Sequence, residues 1–310
     1  MSETKARHPE KPFKTLDELC TLLIDERGLS CIDQGELKRY LARTNYYRFS
    51  GYMRQFQQDP RHGDNSFEAG VTFEEIRDMV FLDTRLRLLL QEQLGVIEIA
   101  IRARFAHECG RVYGSEAFYL DPSFYKPCAG IGHGAQATTA AGILLDLSRD
   151  KSGILKRYED SSVKCNGLES GRIRFAAVPI WVAIETLSFG RVSNMIGRFK
   201  DTRAAKQTAA ALGVQWAPFS EVIHSLSVLR NLCAHHRQIW NRRMGIMCPV
   251  QKKLKPKNVE FEGASVYAHI LMMNHYRERI DGDTALADRV QALLDENERF
   301  AMGIYAPNPR

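Results

Sequence analysis

The segment Leu229-Arg230-Asn231-Leu232-Cys233-Ala234-His235-His236-Arg237 crowds two imidazoles, an amide and two guanidiniums into about two helical turns. Asn231 and His235 are four apart, so on a helix they share a face. An amide beside an imidazole can fix its orientation and tautomer. Arg230 and His235 are five apart, roughly 140° around a helix, yet a long arginine can still swing toward the same cleft. Arginine holds a phosphate through a two-pronged hydrogen-bonded contact. Histidine moves protons near neutral pH. Together they can cleave RNA without a metal. A histidine takes the proton of the 2′-OH or gives one to the leaving 5′-oxygen, and the arginine steadies the phosphorane charge. The nucleophile is the substrate's own hydroxyl. The same residues also describe a polar helix surface or an inter-helix hydrogen-bond network, and from spacing alone this is the first reading. A zinc site is weaker, because His235 and His236 point about 100° apart on a helix and neither HExxH nor a cysteine cluster accompanies them. We expect no metal and no cofactor.

Immediately after this segment the chain becomes basic. Residues 237–257 hold Arg237, Arg242, Arg243, Lys252, Lys253, Lys255 and Lys257 without one Asp or Glu. These seven charges exceed the net charge of +6, so the rest of the chain carries −1. Cations beside a phosphodiester-cleaving site are what RNA binding requires electrostatically, although a solvated charged loop has the same composition. Tyr46, Tyr47, Tyr52 and Trp240 can stack on unpaired bases, and each is more often a core residue.

The elements that must position these groups read as helices. Leu16, Leu19, Leu22 and Leu23 mark a one-sided helix from Thr15, and a second begins near Asp33. Thr72 with Glu75 matches a capping box. From Phe73 to about Cys109, Leu82, Leu86, Leu89, Leu90, Leu94, Ile97, Ile101 and Phe105 form one continuous stripe. Further helices are expected over 136–160, from Pro179 to a stop at Gly190, over 191–199 and 202–212, from Pro218 to about Trp240, from Ser265 to Ile280 and from Thr284 to Met302. Residues 54–70 and 110–135 read as loops, 161–170 as a polar loop. Strand signals are nearly absent. The expected class is all-α. We expect a flexible arm over 1–14, one domain over 15–303 with a possible loop insertion at 110–170, and a tail over 304–310.

Composition sets outer bounds. A chain of 310 residues with 44% hydrophobic and 26% charged residues is ordinary for a globular protein and long enough for a substantial core. No apolar run approaches the roughly 20 residues of a membrane span, and no apolar stretch follows the charged N-terminus as in a secretory signal. The seven cysteines are scattered without a CxxC, which points to reduced thiols and a cytoplasmic protein without a membrane partner.

Arg230-Asn231-Leu232-Cys233-Ala234-His235 resembles the R-N-x-x-x-H form of the RX4–6H motif of HEPN domains. Asn45-Tyr46-Tyr47-Arg48-Phe49-Ser50-Gly51-Tyr52, Phe81-Leu82-Asp83-Thr84-Arg85-Leu86-Arg87, Ile97-Glu98-Ile99-Ala100-Ile101-Arg102 and Ala234-His235-His236-Arg237-Gln238-Ile239-Trp240-Asn241 are similar to segments of the Abi-like (AbiD/AbiF type) abortive-infection branch of that superfamily. The resemblance spans residues 15–303. It implies a HEPN-like helical bundle with additional helices and loops. It also implies a metal-independent endoribonuclease toxin of a phage-defence or toxin–antitoxin system, commonly a homodimer with two such motifs facing across the interface, and in some members restrained by a structured non-coding RNA. Arg230 and His235 carry over as the catalytic pair, with Asn231 beside the arginine and His236 in an undefined supporting place. Glu98 and Arg102, at ion-pair spacing, are then either a surface pair or a pair near the cleft in which Glu98 orients Arg230 or His235. Two readings stand beside the ribonuclease: a non-catalytic RNA-binding module using the same basic groove, and a phage-sensing protein scaffold.

Overall fold

The computed structural model describes residues 12–127 and 135–309. It is an all-α protein. Its contacts divide it into two compact units, one up to Thr84 with Pro309 and one over Arg85–Asn308.

The first unit begins with α1 (Leu16–Thr21), which continues into a π-helical turn at Leu22–Glu26. Thr15 and Glu18 cap α1 reciprocally, each side chain satisfying a backbone N–H that a helix start leaves open. Asp33 caps α2 (Gln34–Arg43) through the amide of Gly35 at 2.8 Å. Asn45 caps α3 (Tyr46–Met53). Tyr40, Phe49 and Phe73 meet edge to face with centroids 5.1–6.1 Å apart, the geometry ring quadrupoles favour. Tyr52 is fully buried and donates to the buried Asp83. Part of the expected loop over 54–70 is instead a hairpin, β1 (Gln57–Asp59) antiparallel to β2 (Asp64–Phe67). Apart from the buried Phe67 these strands are polar and carry no apolar alternation of their own. Main-chain bonds fix them from elsewhere: the Phe67 amide to the Arg27 carbonyl at 2.8 Å and the Glu68 amide to the Phe56 carbonyl at 2.9 Å.

α4 (Phe73–Tyr113) opens with the Thr72/Glu75 capping box and runs for 41 residues. Every member of the predicted stripe from Leu82 to Phe105 is buried. In the second unit follow α5 (Ala135–Arg149), α6 (Leu168–Arg174), α7 (Ile180–Thr186), α8 (Phe189–Arg198), α9 (Arg203–Ala211), α10 (Phe219–Ala234), α11 (Val266–Asp281), α12 (Ala285–Leu294) and α13 (Glu298–Tyr305). α10 packs on α8 and α11, and α11 on α12 and α13. Gly130, Gly132 and Gly134 of the expected loop lie outside the described residues.

Several expectations are corrected. The helix expected over 136–160 ends at Arg149, and only a 3₁₀ turn at Ile154–Arg157 follows. The polar loop expected over 161–170 gives way to α6 from Leu168. Gly190 does not stop a helix. α7 ends at Thr186, Ser188 caps α8 through the Arg191 amide at 3.2 Å, and Gly190 lies in the first turn of α8. The helix expected over 284–302 is two, because Asn297 accepts the Phe300 amide at 2.9 Å and starts α13 afresh.

His269 sits in the first turn of α11, fully buried, with Nδ1 3.1 Å from the Ser265 carbonyl. Burial, only partly offset by the backbone of Ser265 and Ile246, pushes its pKa down to about 4. In the unfolded chain a histidine titrates near 6.5, so between these values the unfolded state binds the extra proton. Stability is therefore complete above about pH 6.5 and falls as the pH drops toward 4, by up to about 3 kcal/mol from this group. Urea unfolding of wild type and His269→Gln between pH 7 and 4.5 checks this. The expected result is a steeper loss of midpoint in wild type.

Candidate nucleic-acid cleavage site

α10 buries Phe219, Val222, Ile223, Leu226, Leu229 and Cys233, recurring at three- and four-residue steps. That fixes its rotation and turns Arg230 and Asn231 toward its polar side. On α4 the buried row Leu94, Ile97, Ile101 and Phe105 does the same for Glu98 and Arg102, one turn apart. The structure brings the two polar sets together. Glu98 Oε2 is 3.0 Å from Nε of Arg230. Glu98 Oε1 accepts from Nε and Nη2 of Arg102, at 3.1 and 2.5 Å. Arg102 also donates through Nη1 to the Ile184 carbonyl on α7. One carboxylate therefore holds two guanidiniums. The Glu98 and Arg102 side chains are 10% and 11% exposed and that of Arg230 33%. This carboxylate lies inside the fold, and only Arg230 reaches toward solvent.

Of the two places the sequence left open for Glu98, the structure shows the one against Arg230. With its Nε facing Glu98, Arg230 extends Nη1 to the Asn231 side-chain oxygen, 3.4 Å away. Nη2 makes no hydrogen bond among the described residues. The amide of Asn231 thus touches the arginine rather than His235. What Asn231 offers His235 is its backbone carbonyl, which accepts the His235 amide at 3.0 Å.

The helix does not run to Trp240 as its composition suggested. It ends at Ala234, with His235 as the C-cap at φ −93°. The chain then turns through His236 at φ +53°. The His236 amide reaches the Cys233 carbonyl at 3.0 Å, and the Arg237 amide reaches that of Leu232 at 2.8 Å. This crossed pair of bonds is a Schellman turn, which satisfies carbonyls that the helix end leaves open. Both imidazoles are exposed, and among the described residues neither ring makes a hydrogen bond or ion pair.

The turn is pinned from below. Trp240 is buried and stacks on Phe300 at 6.5 Å. A Cβ on Gly303 of α13 would collide with its indole, so the glycine makes this packing possible. Asn241, at φ +53°, donates its amide to the Gly303 carbonyl at 3.1 Å, and its side chain takes the Asn308 amide and gives to the Asn308 carbonyl. Trp240 is therefore a core residue and not a stacking platform, and so is Tyr52. Tyr46 takes a hydrogen bond from Arg27 at 2.7 Å, and Tyr47 stays 80% exposed.

Beyond the turn, the basic run is partly spent on the fold. Arg242 donates through Nε to the Gln238 carbonyl at 2.6 Å, and Arg243 pairs with Glu262 at 3.3 Å. Arg237, Lys252, Lys253, Lys255 and Lys257 are exposed, Lys255 lying over the Phe261 ring at 5.9 Å. No helix among the described residues is long and apolar enough to cross a membrane.

A family model described as Abi-like protein matches residues 39–241, more than half of the chain, and its last matched residues are the motif and the turn. No curated protein and no solved structure matches the chain.

Removing one partner of a buried ion pair leaves the other charge uncompensated, at about 3–5 kcal/mol. Glu98→Gln strands two guanidiniums at once and is expected to lower the unfolding free energy by about that amount. Arg230→Gln is expected to cost less, since that guanidinium is one-third exposed and Arg102 still balances the carboxylate. Urea titrations of the two variants rank them, and an unchanged midpoint for Glu98→Gln would show that the cluster is not held by charge.

Proposed function

The chain belongs to the Abi-like protein family, and on that premise we propose that it is an endoribonuclease of abortive infection that cleaves RNA without a metal. The observation that carries the reading is Arg230, fixed through Nε by the buried Glu98 and leaving Nη2 open, five residues ahead of an exposed imidazole at the helix end. At 1.5 Å per residue the Arg230 and His235 backbones are about 7.5 Å apart along the helix axis, a span two such side chains close around a phosphodiester. The guanidinium bonds the non-bridging oxygens and meets the charge gathering on the phosphorane. His235 moves a proton at the 2′-oxygen or the 5′-oxygen. The products are a 2′,3′-cyclic phosphate and a 5′-hydroxyl. Glu98 and Arg102 act one step back, by setting the direction from which Arg230 approaches.

The HEPN-type motif supports a homodimer in which a second copy closes the site. It also supports a cytoplasmic toxin restrained by a structured RNA on the exposed cations Arg237, Lys252, Lys253, Lys255 and Lys257. Those lysines also favour a second reading, a binding module that holds RNA without cutting it.

Incubating cellular RNA with the purified protein in EDTA separates the two. Wild type is expected to cleave and leave 2′,3′-cyclic phosphate ends, and His235→Ala to lose about 10²–10⁴-fold in rate. If neither cuts while both bind RNA with a steep salt dependence, the binding module is the right reading.

A further inference from the structure

The Glu98 cluster has a groove of about 510 Å³ beside it, within the range that small ligands occupy. α4 lines it with the small residues Ala103, Ala106 and Gly110, and α7 with Trp181 and Glu185. The link to the cluster is direct: the carbonyl that takes the Arg102 guanidinium belongs to Ile184, the residue before Glu185. Ile180, Ala183 and Ile184 are buried, so the rotation of α7 turns Trp181 and Glu185, four apart, out on one face. A Cβ on Gly110 would stand 3.1 Å from the indole, so the glycine lets the ring lie close against α4. Even so, Trp181 is 48% exposed. Aromatic surface left open in a concave site is where ligands bind. The polar groups of the groove are open as well. Trp181, Glu185 and His107 make no hydrogen bond or ion pair among the described residues. Arg111, which also lines the groove, is anchored to Glu108 at 2.8 Å and keeps its side chain 55% exposed. An acid from α7 and bases from α4 thus share one groove without neutralising each other.

We propose that this groove is a nucleobase subsite for RNA and that its preferred occupant is guanine. This rests on RNA being the ligand of the neighbouring site, which the ribonuclease and the binding module have in common. A carboxylate repels phosphate, so what Glu185 can take is a base and not the backbone. The indole supplies a stacking face that any base can use. Glu185 decides among them. A carboxylate only accepts hydrogen bonds, through two oxygens. Guanine carries two adjacent donors, N1–H and N2–H, that match them. Adenine and cytosine present one amino group beside a bare ring nitrogen, and uracil one N–H between two carbonyls, so each sets lone pairs against the carboxylate. Guanine also offers O6 and N7 as acceptors, which suit the N–H groups of His107 and Arg111. Trp181 and Glu185 are about 6 Å apart along the α7 axis, close enough for a base on the indole to reach the carboxylate with its edge.

The test is base preference in wild type, Glu185→Gln and Trp181→Ala, read in two ways. Binding is measured with uncleavable 2′-O-methyl oligonucleotides that carry one guanosine or one adenosine among uridines, and cleavage with the matching RNAs in EDTA. Wild type is expected to favour guanosine about tenfold in binding. A carboxamide has a donor beside an acceptor, so Glu185→Gln is expected to move the preference to adenosine, whose amino group lies beside a bare ring nitrogen. Glu185 is exposed and unpaired, so the melting temperature is expected to stay where it was. Trp181→Ala is expected to weaken both oligonucleotides about tenfold, since stacking serves every base. If wild type prefers guanosine in binding and cuts nothing, the subsite stands and the ribonuclease reading falls. If wild type shows no guanosine preference, or Glu185→Gln leaves it unmoved, the groove is no guanine subsite. If Trp181→Ala turns a dimer into a monomer on sedimentation and leaves the preference unchanged, a second copy of the chain covers the groove and the proposal is overturned.

Discussion

A carboxylate inside the fold between two guanidiniums is an arrangement that tolerates little change. Glu98 has one oxygen on Arg102 and the other at Nε of Arg230. A single buried arginine would demand a single acid. Two of them sharing one acid leave a net positive charge, and that surplus is directed outward through Arg230. The long helix supplies Glu98 and Arg102 at a fixed one-turn separation. α10 supplies Arg230 at a rotation set by its buried face, and the Ile184 carbonyl of α7 holds the far guanidinium. Much of the second unit can be described as the scaffolding this triad needs.

The electrostatics of the rest follow from that surplus. With no carboxylate between Arg237 and Lys257, the exposed cations beyond the turn add to the field of Arg230 rather than cancel it. Arg242 and Arg243 are drawn off by Gln238 and Glu262 and serve the loop's shape. The lysines farther along remain in solvent, where a long anion can collect them. Positioning and attraction are thus divided between different residues, one arginine fixed and the lysines exposed.

How much of this the sequence disclosed depends on range. The capping box of Thr72 and Glu75 is a local pattern three residues apart, and the structure reproduces it. The stripe of α4 is long enough to average out local noise, so its burial was predictable residue by residue. The hairpin at Gln57–Phe67 was not, because it is held by main-chain bonds to Arg27 and Phe56 and all its strand residues but Phe67 are polar. The end of α10 was hidden for a different reason. The usual sign is glycine after the cap, and the chain has His236 there, so composition read as continued helix. Glu98 against Arg230 was one of two open alternatives, since no spacing rule connects residues so far apart in sequence. Tyr52 and Trp240 illustrate the converse: aromatic side chains suited to stacking on bases are just as well suited to a core, and here the core has them.

The clamp at Asn241 has a consequence for the strip of chain it grips. One side-chain amide holds both the N–H and the C=O of Asn308, while the Asn241 backbone holds Gly303. The turn bearing the two imidazoles is thereby latched to the strip of chain from Gly303 to Asn308. Anything that captured that strip would open the latch without touching Arg230, His235 or His236. Moving the turn would then need no second binding pocket, only possession of a short length of backbone.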